Sequence, residues 1–256
     1  MIIQGRAISS GRAEGELVVL NEDFSFLGGV DVSTGDLRVA EGNISGKIFA
    51  FRRGKGSTVG SYTIFDLKSK GLAPIGVVNQ TAETIVTTGA VISDIPLVDG
   101  IDIDVLRTGD VLSMDGDAGT IELPRLGLRE VVTGIVTRGD EALFLRRSDK
   151  EHHFPRKWGG VSGRIEEGES PEEAAKRELM EETSMEAELV RKGEPFLVRG
   201  DDLMWRVHPV LFSGDAEPTL NWEHCDHRWI KPSDITTLDT VPRMDEVLMR
   251  LGLIRP

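Results

Sequence analysis

A two-domain α/β protein is predicted from three features of this sequence. The chain has 256 residues, more than one average domain needs and enough for two. Its rarer residues divide: all 4 Trp and all 5 His lie beyond residue 150, whereas 18 of the 29 Gly and the sole Tyr lie in the first 120 residues. Short β-branched runs alternate with helical segments in both halves. Between the halves, Leu123-Pro124-Arg125-Leu126-Gly127-Leu128 carries Pro and Gly punctuation but is too short and too apolar for a flexible tether. Domains are therefore expected at 1–124 and 125–256.

In the first half, Gly15–Leu20 and Lys47–Phe51 have strand composition. A Gly-rich segment, Gly54-Lys55-Gly56-Ser57-Thr58-Val59-Gly60, leads from the second of these into a helix reaching Leu67–Lys70. Pro74–Asn79 is an apolar strand, Thr81–Gly89 a second helix, and Val111–Leu123 a hairpin turning at Asp115-Gly116. Together these predict a β/α sandwich or a barrel-like domain. In the second half, Glu130–Thr137 and Ala142–Arg146 pair through the turn Arg138-Gly139-Asp140. One strong helix follows, then strands around Met204–Phe212 and His227–Ile230, giving an α+β or α/β/α domain.

Net charge is −13, which repels phosphate backbones and argues against nucleic acid as a partner. The single cysteine, Cys225, excludes an internal disulfide and an iron–sulfur cluster held by this chain's thiolates alone. The first residues lack an apolar leader and no 18-residue apolar run exists, so a cytoplasmic protein without a membrane span is expected.

The helix of the second half opens at Ser170-Pro171-Glu172-Glu173: Ser170 caps, Pro171 suits the first helical position, and Glu173 closes a capping box. It is expected to end near Thr183. Glu178, Glu181 and Glu182 stand at i, i+3 and i+4, placing three carboxylates on one side. Hard oxygen donors at that spacing suit Mg²⁺ or Mn²⁺. A solvated acidic face is the plain alternative, but Glu178 and Glu182 border the apolar stripe marked by Ala175 and Leu179.

From Gly163 through Glu169 and Arg177-Glu178-Leu179 to Glu181-Glu182 and Ser184-Met185, the 23 positions resemble the signature of Nudix hydrolases, with Ser184 where that family has Gly. The resemblance implies an α/β/α sandwich that uses Mg²⁺ or Mn²⁺ to cleave a diphosphate linked to another moiety. It implies Glu178 and Glu182 as metal ligands and Glu181 as a ligand or the base for water. Arg177 would order the carboxylates, paired with Glu169, and Gly163 would let backbone approach phosphate and metal. Glu223 or Asp226 could add a base, although solvated charges and core tryptophans explain Trp222–Trp229 as well. The His224-Cys225-Asp226-His227 run is too cramped for a zinc site.

Gly54–Tyr62 fails the Walker A pattern, because Gly56 follows Lys55 where Ser or Thr is needed. From chemistry alone Ser57 reads as a helix cap and Arg52, Arg53 and Lys55 as solvated; an anion nest is the alternative. The blocks Gly5–Ser9, Ser25–Asp31, Gly54–Tyr62 and Ile95–Asp99 resemble the swivelling small subunit of the aconitase X group, including archaeal phosphomevalonate dehydratase. That resemblance implies a swivelling β/β/α domain followed, in this chain, by a Nudix α/β/α sandwich. It further implies a separate large subunit that carries the iron–sulfur cluster, and Ser57 as the residue that takes a proton from 5-phosphomevalonate. Gly54, Gly56, Arg52, Arg53 and Lys55 would hold a phosphorylated small molecule. Phosphohistidine domains of phosphoenolpyruvate-using enzymes look similar at their start, but the first half has no histidine. The rival expectations are a hydroxyproline-type dehydratase for the first domain, and a nucleotide sensor that does not cut for the second.

Overall fold

The computed structural model describes residues 1–255, which form two compact units, Met1–Gly127 and Leu128 onward. The first unit runs β1 (Ile2–Gln4), β2 (Arg6–Ser9), β3 (Arg12–Leu20), a distorted turn α1 (Phe26–Gly29), β4 (Ile48–Arg53) and α2 (Val59–Ser69). It continues with β5 (Gly76–Thr81), α3 (Thr84–Ile92), β6 (Leu97–Asp99), β7 (Val111–Asp115) and β8 (Thr120–Glu122). The strands form one mixed sheet in the order β1-β8-β7-β3-β4-β5-β6-β2. β1 and β2 end that order, so the sheet is open and the barrel-like alternative is set aside.

β4 lies between parallel neighbours β3 and β5, and Ile48, Phe49, Ala50 and Phe51 are all 0% exposed. A parallel strand covered on both faces reads as an unbroken apolar run, which is why this one was visible in the sequence. Phe49 and Phe51 meet Phe24 and Phe26 with ring centroids 5.0–6.2 Å apart. Ser61 of α2 donates to the Ile85 carbonyl of α3 at 2.8 Å, fixing the two helices together. α3 starts three residues later than the sequence suggested. Thr81 stays in β5 opposite Arg53, and the Glu83 carboxylate caps the helix by accepting from Ile85 and Val86 N–H at 3.2 and 3.3 Å. β1, β2 and β6, at three or four residues each, are too short to announce themselves by periodicity.

The second unit comprises β9 (Gly127–Arg138), β10 (Glu141–Arg147), β11 (Trp158–Gly159), β12 (Val161–Arg164), α4 (Pro171–Thr183) and β13 (Glu188–Lys192). It ends with β14 (Phe196–Arg199), β15 (Leu203–Ser213), β16 (His224–Ile230) and α5 (Met244–Arg250). The sheet follows β11-β10-β9-β15-β13, with β12 on β9, β14 on β15 and β16 on β10. Alternation sorts its two faces. Val132, Val136, Leu143, Leu145 and Phe212 pack with Ala174, Ala175 and Leu179 of α4. Ile135, Phe144, Phe196 and Val207 pack with Met244, Val247 and Leu248 of α5. The unit is an α/β/α sandwich.

α4 has the expected bounds. Ser170 Oγ accepts from Glu173 N–H at 3.3 Å while the Glu173 carboxylate accepts from Ser170 N–H at 2.9 Å. Its last turn closes on Ser184, held in the left-handed region at φ 54° and donating its N–H to Met180 O at 2.9 Å. Among the described residues no helix is long and apolar enough to cross a membrane.

Candidate functional site

α4 and β12 build the site in the second unit. Glu178 and Glu182 are one turn apart on the side of α4 that meets β12, with side chains 13% and 1% exposed. Glu181, between them, turns outward at 57%. Ser162 N–H donates to Glu182 Oε1 at 3.1 Å. Gly163 leaves room for the neighbouring carboxylate: a Cβ there would overlap Glu178.

Arg177 organises the charges. It donates to both Glu169 oxygens at 3.0 Å, to Glu178 Oε1 at 2.8 Å and to the Arg164 carbonyl at 3.0 Å, and lies 3.6 Å from Glu181. The Glu169 hydrogen bond raises the Arg177 pKa, and the same bond lowers that of Glu169. Glu178 is raised, because desolvation outweighs Arg177. Glu182 is pushed well above the usual carboxylate range by burial, against the opposing Ser162 bond and with Glu178 and Glu223 adding repulsion.

Glu182 Oε2 has no hydrogen-bond partner, and the Nδ1 of buried His224, itself unpartnered, lies 3.6 Å away. Burial, and secondarily Arg147, pulls the His224 pKa down to about 4, keeping the ring neutral. Glu223 is also raised by burial and by the nearby Glu151 and Glu178. Arg147 is committed, donating to Glu151 at 2.6 Å and to Ser162 Oγ at 3.1 Å. Among the described residues no three His, Cys, Asp or Glu side chains are already drawn together around one point. The donors are nevertheless hard oxygens, one of them buried without a partner, amid repelling carboxylates. That donor set fits a hard divalent cation.

The NUDIX domain family matches residues 127–251, and the aconitase X swivel domain family matches residues 2–123. The phosphomevalonate dehydratase small subunit of Thermococcus kodakarensis is 51% identical over 128 residues, covering 48% of this chain and 96% of that protein. Through its first half the chain belongs to the phosphomevalonate dehydratase small-subunit family, and its second half carries a NUDIX domain. The small subunit from Methanosarcina acetivorans is 45% identical over 129 residues, covering 47% of this chain and 90% of that protein. Among solved structures, holo-form aconitase X from Thermococcus kodakaraensis is similar at 48% identity and TM-score 0.47, covering 48% of this chain and 98% of its own. The MutT protein from Methanosarcina mazei Go1 is similar at 22% identity and TM-score 0.44, covering 50% and 94%.

In the swivel unit, residues 54–58 join β4 to α2. Ser57 is exposed; its Oγ accepts from Val59 N–H at 3.3 Å, while Thr58 makes no side-chain cap. Gly56, at φ 108°, turns the chain beneath Ser57 in a conformation that a side chain would strain. Gly54 pairs with Phe24 and packs against Glu83. The expected basic cluster is divided. Arg52 donates to Asp104 at 2.8 Å and Gln80 at 3.0 Å, and Arg53 pairs with Asp23 at 3.1 Å. Lys55 is exposed with no ion pair among the described residues.

In the Nudix unit the sequence reading missed Arg147 and Glu151, and weighed His224 only as a zinc ligand, which it set aside. Arg147 and Glu151 are four residues apart, and His224 joins them through the register of β10 with β16, where a bulge after Arg146 sets Arg147 opposite His224. No local motif carries that signal. Of the tryptophans, Trp158 is buried at 6%, whereas Trp222 is 62% exposed.

Proposed function

We propose that the Nudix unit hydrolyses a diphosphate linked to another moiety, with Mg²⁺ or Mn²⁺, and that the swivel unit is the small-subunit half of a dehydratase acting on 5-phosphomevalonate. The observation supporting the first part most strongly is the buried, unpartnered Glu182 oxygen beside the half-paired Glu178. Glu178 and Glu182, with Glu181, would hold the cation, which supplies charge neutralisation at the phosphoryl oxygens. Arg177 keeps Glu178 and Glu169 in place, and Ser162 N–H orients Glu182. Glu181, the exposed carboxylate of the three, would serve as a further ligand or take the proton of an attacking water. The left-handed Ser184 gives the turn that Gly gives elsewhere in the family, so the substitution does not favour the sensor reading.

For the swivel unit, support comes from the small-subunit relatives and from the exposed Ser57 loop. Ser57 has no titratable side chain bonded to its hydroxyl, so the group that deprotonates it would come from the large subunit together with the iron–sulfur cluster. Leu27, Val59, Tyr62 and Phe65, between 48% and 71% exposed around this loop, offer apolar surface for that subunit.

Two experiments test the halves separately. Release of phosphate or nucleotide from a panel of diphosphates should depend on Mg²⁺ or Mn²⁺ and fall roughly 10²–10³-fold in Glu182→Gln. Equal turnover in that variant would refute the first reading. Co-purified with its large subunit, the chain should dehydrate 5-phosphomevalonate and lose that activity on Ser57→Ala. Turnover of a hydroxyproline substrate instead would overturn the second.

A further inference from the structure

A cavity of about 370 Å³ lies beside β12, with Ser162 and Gly163 in its wall. Those two residues touch Glu182 and Glu178, so the cavity begins where the carboxylate site ends. Much of its wall is hydrocarbon, from Val131, Val198, Val207, Val241, Met244 and Val247, while Thr133, Ser162, His152 and His153 supply its neutral polar groups. Phe196 adds an aromatic wall, and Trp205 a second, buttressed edge-on by His153 and Phe154 at 5.5 and 5.8 Å. No Asn, Gln or Asp side chain lines it, and the carboxylate of its one acidic residue, Glu151, is held by Arg147 at 2.6 Å.

A base edge or a sugar diol enclosed here would find the Thr133 and Ser162 hydroxyls and the His152 and His153 rings, but no side-chain amide or free carboxylate to replace water. A hydrocarbon group has no such requirement and gains from leaving water. At the rim, Arg129 and Arg164 also line the cavity, and among the described residues their guanidinium groups have no ion-pair partner. Thr133 pairs with Ser162 and Val131 with Arg164 across β9 and β12, so the rim cations and the apolar wall share one sheet face. Two guanidinium groups without ion-pair partners among the described residues thus line the same cavity as the apolar wall.

Resting on the hydrolase reading, we infer that the Nudix unit's substrate is the diphosphate of a short branched hydrocarbon, with its alkyl group in this cavity and its diphosphate at Arg129 and Arg164. Water adds to one phosphorus and the bridging P–O bond breaks. The products are the alkyl monophosphate and inorganic phosphate, with one proton released.

The test uses the full chain with Mg²⁺ and compares dimethylallyl and geranyl diphosphates with ADP-ribose and dGTP. The expected result is a kcat/KM at least about 100-fold higher for the better alkyl diphosphate. Val131→Thr, which puts a hydroxyl into the half-buried wall at nearly constant size, should lower the alkyl value about 10-fold. Preferential cleavage of ADP-ribose or dGTP overturns the inference and leaves the hydrolase reading standing. If nothing is cleaved, the hydrolase reading falls, and calorimetric titration with geranyl methylenediphosphonate decides the cavity. Binding weakened by Val131→Thr supports the inference; absence of binding overturns it.

Discussion

Glu182 pairs an ionisable group with an environment that resists its ionisation. Burial raises its pKa, and the proton it holds in the folded state is one the unfolded chain would release above about pH 4.3. In cation-free protein, its contribution to stability is therefore fully present below that pH and is lost as pH rises toward the raised native value. Chelator-treated protein should show a falling Tm across that window, while Glu182→Gln, neutral throughout, should flatten the fall. Adding Mg²⁺ should restore Tm most at the upper end, where the bare carboxylate is ionised. A cation effect on Tm equal in both proteins would place binding elsewhere. At this scale the sequence was informative where spacing along one helix sufficed for Glu178 and Glu182, while the pairing of Arg177 with Glu169 came from the resemblance to the Nudix signature. Arg147 and Glu151, only four residues apart, carried no motif, and His224 reaches them through a strand distant in sequence.

Helix α4 is specified by local chemistry at both ends, so its bounds were legible. Ser170→Ala removes the hydroxyl half of a closed capping box and should cost about 1 kcal/mol in denaturant unfolding of the Nudix unit. Ser184→Gly should do the reverse, gaining about 1 kcal/mol by relieving a left-handed non-glycine residue. A loss of stability on Ser184→Gly would show that the serine side chain contributes something its backbone angle does not. α5, at seven residues, went unnoticed for the opposite reason. It starts at Arg243 without a side-chain cap, and its burial is dictated by the sheet it covers. The strand-to-helix step at Gly54–Gly60 was legible in outline, but the pairing of Arg52 and Arg53 with Asp104 and Asp23 was not.

For the whole molecule, the composition asymmetry pointed to two bodies, and each of the main apolar clusters lies within one unit. A chain starting at residue 125 should accordingly fold and keep the metal-dependent turnover of the full protein, checked by calorimetry and the same substrate panel. Turnover lost in a folded fragment would show that the swivel unit contributes to hydrolysis. Only residues 123–126 lie along the backbone between β8 of the first body and β9 of the second. Because one message encodes both, each ribosome that finishes the chain delivers them in a one-to-one ratio, and no change in transcription can raise the dosage of one without the other.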